Sequence, residues 1–408
     1  MLRNAFERYI SNFSGFSREI WILTIITFIN RAGTMVLPFL SKYLKENQHF
    51  SYGQVGWIMV GFGLGSMLGS FLGGKLSDKM GFYKIMIFSL FTSGLLFFAI
   101  QYITSFWGLC IGMFVIMTIA DMFRPAMFVS LGTYAKPENR ARAFTLVRLA
   151  INLGFAAGPA LGGLIIMNIG YGGLFWVDGA TCILAITVFA LLVKERKITA
   201  EERKATAILY VPSSFARKKI FFIFLFVSFA TAMLFFQIFS TLPLYQHEMY
   251  GWTEFQTGLL MTMNGFLIFL LEMPIVSYFE RKKVNKIKLI FWGSLMMASS
   301  FYVLLFNGWS GVLIIGMLLI TFAEMFIFPF SNSFALGRAS KGREGTYMAM
   351  FTMSFSLAQI GSSKVGMDII EYYKQYGYHN NWVFMGSLGM TAVLATIYLQ
   401  KLLREEIS

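Results

Sequence analysis

Gly74-Lys75-Leu76-Ser77-Asp78-Lys79-Met80-Gly81 is a short charged stretch between two long apolar ones. Before it, positions 53–74 carry no charge; after Lys84, none appears again until Asp121. A helix needs about 20 apolar residues to cross a bilayer's hydrocarbon, and both flanking runs are that long. The eight residues therefore read as a tight connection between two membrane-crossing helices.

Reading outward for runs of the same kind gives spans at 20–43, 53–74, 84–103, 106–130, 143–167, 173–193, 220–245, 255–278, 286–306, 310–336, 345–370 and 381–400. Across the chain 57% of residues are hydrophobic and 13% charged, half the share of a soluble domain, so lipid must solvate much of the surface. The expected class is an all-α membrane protein of twelve transmembrane helices. The abundant glycine, 38 residues, fits helices that approach closely in lipid.

Charge orients these spans. Of the 34 Lys and Arg, 27 fall in the terminal and connecting segments on one side, the Gly74–Gly81 side. Lys42, Lys45 and Lys374 fall on the other, and Arg31, Arg124, Arg148 and Lys364 within spans. Positive charge stays on the cytoplasmic side, so both termini are expected there. This asymmetry accounts for the net charge of +14 without nucleic acid. Residues 1–19 read as a cytoplasmic amphipathic segment rather than a cleavable signal. The longest and most charged connection, 194–219, divides the chain into a bundle of six helices at 1–193 and another at 220–408. Cys110 and Cys182 both lie in apolar runs, which excludes a disulfide framework and a cysteine-rich metal site.

Two motifs resemble the major facilitator superfamily. Gly74-x-Leu76-x-Asp78-Lys79-x-Gly81 is similar to that family's signature between its second and third helices, with Phe82 where the family usually has Arg and Lys84 nearby. The resemblance implies that Gly74, Asp78, Lys79 and Gly81 form a cytoplasmic latch. In the fifth span, Gly154-x-x-x-Gly158-Pro159-x-x-Gly162-Gly163 resembles the family's glycine-proline motif, often associated with antiporters. Its residue types also suit simple helix packing. The connection between helices 8 and 9, Glu280-Arg281-Lys282-Lys283, retains only charge. The implied architecture is two six-helix bundles with a solute site between them.

Ionisable groups at membrane depth are costly, so each marks either a structural pair or a functional site. Glu324 and Glu272 have no basic residue within a turn and are the first candidates to carry a proton. Asp121 is a third; it stands three residues before Arg124, close enough for a bracing pair on one helix face. Asn30, Arg31, Arg124, Gln237 and Asn264 are candidates for the cavity wall, with Arg31 poised for a carboxylate of the substrate or of Glu324. Lys364 and Asp368 suit a local salt bridge, Asp178 an interfacial position, and His49, His247 and His379 outer connections.

A weaker resemblance links this chain to proton-coupled peptide transporters of the same superfamily. Asn30-Arg31, Arg124-Pro125 and Glu324-x-x-x-x-Pro329 parallel motifs of that family, while Thr27 and Asn30 replace two of its glutamates. The expected function is secondary transport of a small organic solute, proton-coupled, as efflux of drug-like or amphipathic compounds. Uptake of peptide-like solutes is the alternative, and a non-transporting receptor is a reading from another class. No G-x-x-x-x-G-K-[ST] loop, H-E-x-x-H or G-x-S-x-G occurs, so neither direct use of ATP nor an enzyme is expected. The expected partners are the solute, protons and the lipid of a bacterial-type inner (plasma) membrane. No cofactor or metal is expected, and the chain is expected to act as a monomer.

Overall fold

A computed structural model describes residues 15–135, 140–195, 215–306, 308–338 and 344–407. Among these residues every regular element is helical. The first half holds α1 (Arg18–Ala32), α2 (Val36–Lys42), α3 (Tyr52–Met80), α4 (Phe82–Ile100), α5 (Phe106–Ala120), α6 (Phe123–Tyr134), α7 (Arg140–Ile169) and α8 (Gly172–Leu192). The second holds α9 (Phe215–Phe236), α10 (Thr241–Tyr250), α11 (Glu254–Arg281), α12 (Lys286–Val303), α13 (Gly311–Arg338), α14 (Glu344–Tyr373) and α15 (Gly377–Ile407). Among the described residues ten stretches are long and apolar enough to cross a membrane. The last, Met350–Glu406, spans both α14 and α15, and α12 falls outside the ten.

Local chemistry starts and stops these helices. Ser51 and Gln54 form a reciprocal capping box on α3. The Ser17 hydroxyl accepts from the Ile20 amide at the start of α1. Gly81 links α3 to α4 at φ +93°, a value that a side chain tolerates poorly, which fixes the sharp turn of the opening motif.

Three of the expected spans are broken. The first is interrupted between Ala32 and Val36, where the Asp178 carboxylate accepts from the Met35 amide at 2.8 Å and the Val36 amide at 3.1 Å. The new helix start leaves the Val36 amide without a backbone partner and the Met35 amide with only the Gly33 carbonyl at 2.8 Å, and lipid could not satisfy them. Asp178 is thus buried, not interfacial as its position near a span end predicts. The fourth run breaks at Asp121–Met122, and Pro125 fits the first turn of α6, where a missing amide costs little. The seventh breaks through a 3₁₀ turn at Gln237–Phe239 and resumes as α10.

In the first half α1 packs on α7 and α8, α3 on α5, and α4 on α8. In the second α12 packs on α13 and α15, and α9 on α14 and α15. The halves meet along two seams, α7 on α11 and α3 on α14, with α2 touching α10 at one end.

Glycine makes both seams possible. A Cβ on Gly163 would stand 2.7 Å from the Glu254 carbonyl, and one on Gly265 would stand 2.9 Å from the Ala156 Cα. On the other seam, a Cβ on Gly56 would lie 3.2 Å from the Lys364 side chain. Contact this close between backbones needs residues without side chains.

Candidate functional site

Between the halves lies a cavity of about 380 Å³, within the range of small-molecule sites. The first half lines it with Asn30, Arg31, Ser66, Asp121, Arg124 and Phe155. The second contributes Phe235, Phe236, Phe239, Asn264, Glu324 and Phe355. Phe235 is the centre of the aromatic wall, with ring centroids 5.2 Å from Phe236, 5.6 Å from Phe239 and 5.1 Å from Phe328.

The acids here are supplied with donors and Arg31 lacks an acid. Asn264 Nδ2 donates to Glu324 Oε1 at 2.9 Å and to the Thr321 hydroxyl at 3.0 Å. Asp121 takes the Ser66 hydroxyl on one oxygen and stands 3.9 Å from the Arg124 guanidinium on the other. Both oxygens of Asp178 are occupied, by the amides of Met35 just before α2 and of Val36 at its start. Arg31, by contrast, has no carboxylate within ion-pairing distance among the described residues, and its Nε is buried without a partner. Its guanidinium lies 5.7 Å from the Phe155 ring centroid. Asn30 Nδ2 reaches the Cys182 sulfur at 3.5 Å.

Two predicted site residues stand elsewhere. Gln237 is fully buried away from the cavity: its amide nitrogen donates to the Ser362 carbonyl at 2.8 Å, and its oxygen accepts from Asn381 at 3.1 Å and from the Thr241 hydroxyl. It ties the broken seventh run to α14 and α15. Glu272, which has no cation nearby in sequence, pairs with Arg148 across the α7–α11 seam, with Asn152 Nδ2 at 3.4 Å. Arg148 and Asn152, four apart on α7, present two donors on one face; that spacing was legible, but its partner on α11 was not.

Lys364 bonds Asp368 as its spacing implies, and also lies 4.8 Å from the Trp57 ring of the first half. In the glycine-proline motif, Gly154, Gly158 and Gly162 lie against α1 and the break after it, while Gly163 meets α11 and the Pro159 carbonyl meets Gly258. Of the latch residues, Gly74 faces open space, Lys79 is exposed and Gly81 makes the turn. The Asp78 side chain lies outside the described set.

At the opposite end from Gly81 the halves are tied by polar contacts that sequence reading missed. Lys42, wholly buried, lies 3.0 Å from Glu254 and 3.9 Å from Glu46. The Tyr171 hydroxyl stands 3.1 Å from Glu254 and 3.4 Å from Glu46. Burial, with Glu254 and Glu46 beside it, pushes the Tyr171 phenol above its ordinary range, so it remains a donor. Glu248 accepts from Tyr52 and, at 2.9 Å, from Tyr378; Glu371 accepts from the Gly53 amide at 2.6 Å. No motif announces this cluster, because its members are scattered over both halves of the chain.

The profile described as Major Facilitator Superfamily matches residues 20–363. An uncharacterised MFS-type transporter of Bacillus subtilis strain 168, YqjV, is 27% identical over 350 residues, covering 82% of each chain. A Na(+), Li(+), K(+)/H(+) antiporter of Planococcus maritimus is 21% identical, covering 82% of this chain and 85% of its own. Among solved structures, a POT family transporter in complex with 5-aminolevulinic acid superposes with a TM-score of 0.79 at 16% identity, over 96% of this chain and 98% of its own. A peptide transporter POT in complex with sulfate gives 0.78 at 16% identity, over 96% of both chains. At such identities the likeness establishes a common fold.

Proposed function

We propose a function from the premise that this chain belongs to the major facilitator superfamily, and so is a membrane transporter and not an enzyme. It is a secondary carrier that exports amphipathic organic solutes in exchange for protons. Its helices form twelve spans in two bundles, 1–193 and 220–408, joined by 194–219, with both termini inside the plasma membrane. The solute's apolar part rests against the Phe235 wall and its polar part meets Arg31 and Arg124. Glu324 carries the proton. The observation behind this reading is the cavity itself: it sets a buried acid with an amide donor, Glu324 and Asn264, in one half and an arginine without a carboxylate, Arg31, in the other.

Alternating access follows from the two glycine seams, along which the halves rock. Lys42, Tyr171 and Glu248 tie the outer end across the two halves, which supports reading this as a state closed on that side. The cation/proton antiporter relative supports exchange over co-transport. The arginines also suit the carboxylate of a peptide-like solute taken up with protons, the second reading. Proteoliposomes separate the two. Under an inward-directed proton gradient an exporter expels solute, whereas an uptake carrier accumulates it. Accumulation would reject the primary reading, and absence of flux for every stabilising ligand would reject both in favour of a receptor.

A further inference from the structure

His247 stands where the two halves close. It belongs to α10 of the second half, and its Nε2 lies 3.4 Å from Glu46 Oε1 of the first. Its other ring nitrogen, Nδ1, lies 3.0 Å from the Trp252 carbonyl oxygen. A carbonyl only accepts, so Nδ1 carries a hydrogen. The turn that presents this carbonyl is fixed by Gly251 at φ +67° and by the Trp252 amide donating to Gln246 at 3.1 Å.

The neutral ring then has only a lone pair at Nε2, 3.4 Å from a carboxylate oxygen. Glu46 Oε1 is itself buried with no hydrogen-bond donor among the described residues. A protonated ring would place a positive charge beside this carboxylate, at ion-pairing distance.

Charge balance gives the same answer independently. The groups around this contact are Lys42 from α2, Glu46 after it, Tyr171 before α8 and Glu254 from α11. Two carboxylates share one lysine, a deficit of one positive charge that a protonated imidazole supplies. The neighbouring Glu248 accepts from Tyr52 and Tyr378, and Lys45 lies 4.2 Å from the Tyr52 ring centroid; among the described residues neither forms an ion pair with His247 or Glu46.

We propose that His247 and Glu46 form a proton-binding site on the outer side, which takes up one proton as the two halves close there. The His247 side chain is 42% exposed, which gives external protons access. Because its partners come from different halves, the site exists only while that end is shut. By linkage, acid on the outer side favours closure. The site is separate from Glu324 and does not depend on which solute is carried or in which direction.

The test reads conformation without transport. Cys110 and Cys182 are replaced by Ala, spin labels are placed at Tyr102 and Gly308, and the chain is reconstituted in nanodiscs. Inter-label distances are recorded at about pH 8 and about pH 5.5, which bracket the usual histidine titration. Acid is expected to shift the wild-type population toward the short, closed distance. His247→Gln is expected to lose most of that shift, and Glu46→Gln to lose it too. A shift of wild-type size in His247→Gln, or no shift in the wild type, overturns the proposal.

Discussion

Asn264 Nδ2 donates to Glu324 Oε1 at 2.9 Å, and the same nitrogen reaches the Thr321 hydroxyl at 3.0 Å. One amide thus bridges the eighth and tenth apolar runs at the acid that the proposed mechanism uses. Glu324→Gln is expected to cut proton-driven flux at least about tenfold, the factor given by ~1.4 kcal/mol, with solute affinity nearly unchanged. Flux and binding in the same proteoliposomes decide it. Full gradient-driven flux in the variant would exclude Glu324 as an essential proton carrier.

Asp178 offers a purely structural prediction. Asp178→Ala strands the Val36 amide and leaves the Met35 amide only the Gly33 carbonyl where the first run breaks. The expected loss is about 1–3 kcal/mol, the cost of leaving buried groups unsatisfied. Asp178→Asn retains one acceptor and should lose less. Thermal unfolding in detergent ranks the two.

The Arg148–Glu272 pair is expected to be coupled. Glu272 is buried, so Arg148→Leu alone leaves a charge without its partner. The double variant Arg148→Leu with Glu272→Leu should recover most of the lost thermal stability, because it removes the charge as well as its partner. Simple addition of the two single effects would show that the pair contributes nothing.

Gly163 controls the outer part of the α7–α11 seam. A Val there forces Glu254 and Phe255 away, since even a Cβ would lie 2.7 Å from each. Gly163→Val should favour opening at that end. A cysteine placed at Thr34, on the cavity wall, should then react faster with an impermeant thiol reagent added outside. An unchanged rate would mean that the seam absorbs the side chain by other movements.

The apolar runs, a turn at Gly81 and the cavity-lining places of Asn30, Arg31, Arg124, Asn264 and Glu324 were legible in one dimension, because each depends on cost along a single helix; the connection expected over Gly74–Gly81 is shorter than that, since α3 continues to Met80. What hydropathy passes over are the breaks at Gly33–Met35 and Gln237–Phe239, because the groups that hold them come from other helices: Asp178 of α8 accepts from the Met35 and Val36 amides, the Ser362 hydroxyl of α14 donates to the Met233 carbonyl, and Asn381 of α15 bonds the Gln237 side chain. The same reason hid Arg148 from Glu272, 124 residues away. Gln237 looked like a wall residue because a polar group in an apolar run serves either a cavity or an internal bond, and its sequence neighbours do not say which.

The two breaks have a mechanical result. They cut the first and seventh runs into jointed rods, and the short outer pieces, seven residues in α2 and ten in α10, bear Lys42 and His247. The inner pieces bear Arg31 and Phe235. A tilt of the outer rods is therefore not transmitted rigidly to the wall beneath. In the proposed cycle the door bearing Lys42 and His247 has hinges of its own, so it can swing before the room behind it changes shape, and a loaded cavity shut at both ends becomes a stopping point.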